Sequence, residues 1–142
     1  GIDFIQVPLN VLHQRFLKSG FFREAEKAGK QTFVRSIYLQ GLLLMPPTDL
    51  PPAMAYARAQ LERFHRSVAE WGVTPQLAAL AFVRRQAPES YCVLGAETAE
   101  QVRQNILSYL AAGNVELPDM GVLAVSDSQI LNPALWPRSQ AS

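Results

Sequence analysis

The chain has 142 residues, of which 49% are hydrophobic, enough for the core of one domain and too apolar for a disordered chain. Its 13 Lys and Arg are balanced by 12 Asp and Glu with no basic run, which argues against nucleic acid as the main partner. A single cysteine, Cys92, excludes a disulfide framework within the chain and points to a reducing, cytoplasmic setting. The longest apolar run, Leu42 to Pro47, is too short to cross a bilayer, and no secretory leader is visible.

The opening stretch GIDFIQVP has no methionine and almost no lead-in before an apolar strand. Domains usually start at a loosely held end, so the expectation is a cut N-terminus with more of the domain upstream. The spacing predicts a buried strand over Asp3–Pro8, ended by the proline. Leu12, Phe16 and Leu17 suit a short turn of helix. Ser19 offers an N-cap for a helix over Phe21–Ala28, with Gly29 as its stop. A second strand follows over Gln31–Ser36.

The segment LLLMPPTDLPP reads as a proline-rich loop, with Pro51 and Pro52 suited to a helix start. Met54, Ala57, Leu61, Phe64, Val68 and Trp71 then form one apolar stripe at helical spacing, closed by Gly72. Thr74 and Pro75 are an N-cap and a first helical residue, opening a mostly buried helix to about Gln86. A third strand is expected over Ser90–Leu94. Thr98 with Gln101 makes a capping box for a helix that turns Val102, Ile106, Leu107 and Leu110 inward and ends at Gly113. A short helix over Met120–Ser126 and an irregular tail over 127–142, pinned by Trp136, complete the chain.

Strands alternating with helices imply right-handed βαβ units and a parallel sheet. Parallel strands need neighbours on both sides, and three of them leave two open edges. The expected fold is therefore α/β: three parallel strands with flanking helices, a single partial domain over 1–142 that forms the last portion of a larger parallel barrel.

In such architectures ligands gather at the carboxyl ends of the strands. Those ends carry Gln6 and Asn10, Arg35 and Ser36, and Gly95 followed at once by a capped helix. A helix start after a glycine presents free N–H groups to an anion. The segments IQVPLNVLHQR, VRSIYLQGLLL, LAALAFV, VLGAETAEQVRQN and NPALW stand in this order along the chain. Together they resemble the C-terminal part of an aldo-keto reductase, from strand six of the (β/α)8 TIM barrel to the C-terminal tail. The resemblance covers nearly the whole chain and implies an NADPH- or NADH-dependent reductase of an aldehyde or ketone.

The resemblance also implies roles. Gln6 would hold the nicotinamide carboxamide, and Arg35 would lie against the nicotinamide ring. Ser36, Tyr38, Gln40 and Gly41 would hold the pyrophosphate. Gly95, Ala96, Glu97 and Thr98 would meet the adenosine ribose and any 2′-phosphate. Gln101, Gln104 and Asn105 would hold the adenine end. NADP-preferring members place a basic residue near the positions of Gly95 or Gln101; both are neutral here and Glu97 is acidic, which counts against a 2′-phosphate. The family's catalytic aspartate, tyrosine, lysine and histidine belong to the early strands and would lie upstream of Gly1. The chain's own lysines, Lys18, Lys27 and Lys30, are not paired with a tyrosine at a strand end, so this chain alone is expected not to reduce carbonyls.

Each residue also has a plain structural reading. Gln6 could be a satisfied core residue and Arg35 a rim ion pair. Gly41 and Gly95 could be ordinary turn glycines. Gln101, Gln104 and Asn105 could be a solvated helix face. His65 is expected on the surface and Cys92 in core packing, and neither histidine has partners for a metal site. A different class of function also stands: a non-catalytic assembly or binding module built on the reductase barrel, which pairs its open edges with another copy of itself.

Overall fold

A computed structural model describes residues 3–138. Gly1, Ile2 and the end of the expected tail, 139–142, lie outside the described residues. Strands β1 (Phe4–Pro8), β2 (Gln31–Arg35) and β3 (Tyr91–Cys92) form one parallel sheet in the order β1-β2-β3. Between and after them run α1 (Arg15–Lys18), α2 (Phe21–Lys27), α3 (Arg58–Glu70), α4 (Pro75–Gln86), α5 (Ala99–Ala112) and α6 (Ser128–Leu131). The sheet is not closed.

Register fixes what each face of the sheet carries. Gln6 stands beside Phe33, Phe33 beside Tyr91, and Pro8 beside Arg35. Successive side chains alternate between faces, so Phe4, Gln6, Phe33, Arg35 and Tyr91 share one face while Val7, Thr32 and Val34 share the other. The second face is buried. It joins a core that includes Val34, Ile37, Leu43, Leu61, Phe64, Leu80 and Val83. The first face is open. Phe33 meets Phe4 edge-on at 5.8 Å and Tyr91 at 5.3 Å, yet Phe4 is 64% and Tyr91 59% exposed.

The helices follow the sequence signals closely where those signals are local. Met54, Ala57, Leu61, Phe64 and Val68 are buried on one stripe, although its first part, Pro52–Ala57, is 3-10 helix. Thr74 accepts from the Leu77 N–H with Pro75 in the first turn. Gly72 lies at φ 71°, where a glycine ends α3 at no steric cost.

Several elements depart from the sequence reading. Ser19 is not the N-cap of α2; its N–H bonds back to the Arg15 carbonyl and closes α1, and Gly20, at φ 77°, starts α2. Strand β2 ends at Arg35, because Ser36 turns away at φ 59°. Strand β3 is confined to Tyr91–Cys92, opposite Phe33 and Val34, and beyond it the Val93 N–H reaches back to the Val34 carbonyl. The expected helix at Met120–Ser126 is a 3-10 turn over Gly121–Leu123. Beyond it the chain is extended at Ala124, and the Val125 N–H is drawn to the Leu12 carbonyl. Among the described tail residues, α6 is followed by a 3-10 turn over Pro133–Leu135, and the Trp136 indole N–H donates to the Ile130 carbonyl within the same segment. His65 is half-buried rather than on the surface, its ring nitrogen 3.0 Å from the Leu43 carbonyl.

The largest departure is on α5. Val102, Ile106, Leu107 and Leu110 are 47 to 59% exposed instead of buried. The side of α5 that packs on α4 is the one bearing Asn105, Tyr109 and Ala112. There Arg84 of α4 lies over the Tyr109 ring and donates to the Tyr109 carbonyl. Val102, Ile106 and Leu110 of the exposed stripe line a shallow cavity with Tyr91 and Cys92 of β3.

Candidate functional site

The loop after β2 is built on unusual backbone. Ser36, Leu39 and Gln40 have φ of 59°, 51° and 54°, and Gly41 has φ 84°. Side-chain-bearing residues rarely occupy this left-handed region, so three of them in one loop require support from around it. The support is visible. The Leu39 N–H bonds the Ser36 carbonyl, the Leu42 N–H bonds the Leu39 carbonyl, and Leu39, Leu42 and Leu43 are buried. Asn10, fully buried after β1, donates to the Ser36 carbonyl at 3.0 Å. Its own oxygen accepts from the Leu12 and His13 N–H groups. The loops after β1 and β2 are thereby locked together.

Opposite this loop lies the start of α5. Thr98 accepts from the Gln101 N–H at 3.1 Å, and the Gln101 side chain accepts from the Glu97 N–H at 2.7 Å. The capping pattern is reciprocal, as the sequence indicates, but Gln101 reaches one residue further back than a standard capping box. Gln104 donates to Glu100 at 3.0 Å on the exposed face.

Asn105 ties the two walls. It is 8% exposed, and its oxygen accepts from the Tyr38 hydroxyl at 3.1 Å and the Gln76 amide at 3.0 Å. Gln76 also donates to the Tyr38 oxygen at 3.3 Å, and the Asn105 amide donates to the Gly95 carbonyl at 3.3 Å. Asn105 thus joins the β2 loop, the first turn of α4 and the segment after β3. It is not an ordinary solvated helix residue. Burial pushes the Tyr38 phenol up, with partial relief from the Gln76 hydrogen bond, so the hydroxyl stays protonated as a donor.

These walls enclose a groove of about 860 Å³. All the site residues named from the sequence line it except Gln6. Gln6 is exposed on the open face of β1, the face that carries Arg35 one pleat further along. Gln76 and Leu44 also line the groove and were not anticipated. Nothing local marks Gln76, which reaches the groove only because the fold brings position 76 to position 105. Arg35 is exposed and makes no ion pair among the described residues; its guanidinium donates to the Ser36 hydroxyl at 3.3 Å. The groove's charged side chains are therefore one cation, Arg35, and two carboxylates, Glu97 and Glu100.

A second cavity, of about 740 Å³, adjoins the first and shares Arg35 and Ser36 with it. Its other walls come from the loop after β1 with α1, and from the segment Ala124–Pro133. Gln14, buried, clamps these walls by donating to the carbonyls of Val11 and Met120. His13, in the wall, has its pKa lowered by burial first and then by the charges of Arg15 and Arg35. No group of His, Cys, Asp and Glu that could hold a metal occurs among the described residues, and no helix among them is long and apolar enough to cross a membrane.

No protein-family model matches the chain, and no curated protein matches it in sequence. Solved structures do match its fold. An aldo-keto reductase from Bacillus halodurans, determined in the apo form, superposes with a TM-score of 0.67 at 19% identity, over 88% of this chain and 44% of that one. The glycerol dehydrogenase of Gluconobacter oxydans superposes with a TM-score of 0.63 at 19% identity, over 98% of this chain and 45% of that one. The chain spans less than half the length of each. At that identity the likeness is one of fold. Three parallel strands with flanking helices, in a sheet that is not closed, match part of an aldo-keto reductase (β/α)8 barrel.

Proposed function

We propose that this chain is the cofactor-binding C-terminal part, strands six to eight and the tail, of an NAD(H)-dependent aldo-keto reductase acting on an aldehyde or ketone. The observation that carries the reading is the groove at the carboxyl ends of the strands. It gathers residues from 35–41, 76 and 95–105 that are far apart in sequence. The nicotinamide end belongs at Arg35 and Ser36, where the groove meets the second cavity, with Gln6 on the same face of the sheet to hold the carboxamide. Ser36, Tyr38, Gln40 and Gly41 hold the pyrophosphate, helped by the first-turn N–H groups of α5. Gly95, Ala96, Glu97 and Thr98 meet the ribose, and Gln101, Gln104 and Asn105 the adenine.

The residues fit a dinucleotide without a 2′-phosphate better than one with it. Glu97 and Glu100 can accept from ribose hydroxyls but would repel a phosphate dianion, and no cation in that wall offsets them. A bound nicotinamide supplies the hydride. This chain's residues bind and orient it, and the proton donor comes from the early half of the barrel. A cytoplasmic setting suits the single thiol, Cys92, whose burial raises its pKa and keeps it protonated.

Fluorescence titration with NADH and NADPH tests the reading. Saturable binding of NADH, weaker binding of NADPH and about tenfold weaker NADH binding in Arg35→Ala (~1.4 kcal/mol) are expected. Absence of saturation with either nucleotide would reject it. The exposed apolar side chains of Phe4, Tyr91 and the α5 stripe favour a second reading, an assembly module that pairs with another copy of itself.

A further inference from the structure

The second cavity differs in charge from the groove it adjoins. Arg15 and Lys18 stand three residues apart on α1 and so on one side of it. Arg35 arrives from the end of β2. All three line the cavity, and no carboxylate does. None of the three has an ionic partner among the described residues, whereas Lys27 and Arg58 are paired with Glu24 and Glu62. The nearest acid along the wall, Asp127, is turned to its own helix, accepting from the Gln129 N–H. In a chain with 13 basic and 12 acidic residues, this local excess is not a reflection of composition. Ser126, Ser128 and Asn132 add uncharged polar groups to the same wall. The wall is also held in place, since Gln14 and the Val125 N–H tie the tail segment to the loop after β1.

We infer that this cavity is the substrate site and that its substrate is a small carbonyl compound bearing a phosphate or carboxylate, held by Arg15 and Lys18 with its carbonyl end toward Arg35. The substrate assignment rests on the proposed cofactor groove, because it is the shared wall of Arg35 and Ser36 that brings the two ligands together. The anion preference rests on the cavity alone.

The test uses the 142-residue chain with glycerol 3-phosphate and its uncharged parent glycerol as probes; neither has a carbonyl that could react with Lys18. Binding is followed by NMR shift changes, and NADH binding by fluorescence, in the native chain and in Arg15→Ala/Lys18→Ala. Glycerol 3-phosphate should bind at least tenfold more tightly than glycerol. The double variant should lose that advantage and keep its NADH affinity. Equal binding of the two probes, or an advantage that survives the double substitution, overturns the anion site even where NADH binds normally. Phosphate-dependent binding in a chain that ignores NADH would keep the anion site and reject the cofactor reading.

Discussion

Asn105 sits in the middle of α5, where asparagine is a modest helix former, and its cost there is offset by four hydrogen bonds' worth of shared network around it. Asn105→Ala would leave the Tyr38 hydroxyl, the Gln76 amide and the Gly95 carbonyl short of a partner in a part-buried site. A loss of about 1–3 kcal/mol in stability is expected, measured by urea denaturation. The sequence flags Asn105 as a residue needing a reason, but its partner Gln76 is illegible there, because only the folded chain brings position 76 to position 105. His13 carries a second residue-scale expectation. Burial, then Arg15 and Arg35, lower its pKa in the folded chain, while the unfolded chain takes up its proton near the ordinary value of 6.5. The unfolded state therefore binds more protons below that value, so stability is full above about pH 6.5 and falls as the pH drops through it. The urea midpoint should decrease between pH 7.5 and 5.5, and His13→Gln should flatten that decrease; an unaltered slope would show that His13 does not cause it.

Several elements were legible from local signals, although the cap offered by Ser19 was not used. The cap at Thr74, the stop at Gly72 and the stripe from Met54 to Val68 each depend on neighbours within a turn or two. Elements defined by distant partners were not. β3 is a strand only where it pairs with Phe33 and Val34 of β2, and β2 itself stops at the turn of Ser36. On α5, the periodicity of Val102, Ile106 and Leu110 correctly marks an apolar face, but periodicity alone does not say what covers it. In this chain the helix packs through Asn105, Tyr109 and Ala112, and the apolar face is free. That face should drive association. Ile106→Glu with Leu110→Glu is expected to weaken self-association of the chain at least tenfold in sedimentation runs at several concentrations, with unchanged far-UV circular dichroism. Both side chains are about half exposed, so the fold does not depend on them. An equal sedimentation profile would show that the stripe makes no contact.

At the scale of the whole molecule, parallel topology and the open sheet were readable from the order of the elements, because a strand-helix alternation admits few other arrangements. The gathering of positions 35–41 and 95–105 in one groove came from the resemblance to a known barrel and not from spacing, which cannot measure distance through space. The second cavity was not legible at all. One of its walls is formed by the tail, whose docking depends on contacts with the opposite end of the chain. Gln14 donates to the Met120 carbonyl, 106 positions away, and the Leu12 carbonyl receives the Val125 N–H. Such contacts have a consequence for biosynthesis. Contacts of high sequence separation form late, since their loop-closure entropy must be met first. As the polypeptide leaves the ribosome, the loop behind the first strand must wait, unfinished, until Met120, 106 positions beyond Gln14, has emerged. A transcript broken shortly before Met120 would yield a product whose groove between the β2 loop and α5 can assemble but whose neighbouring chamber cannot.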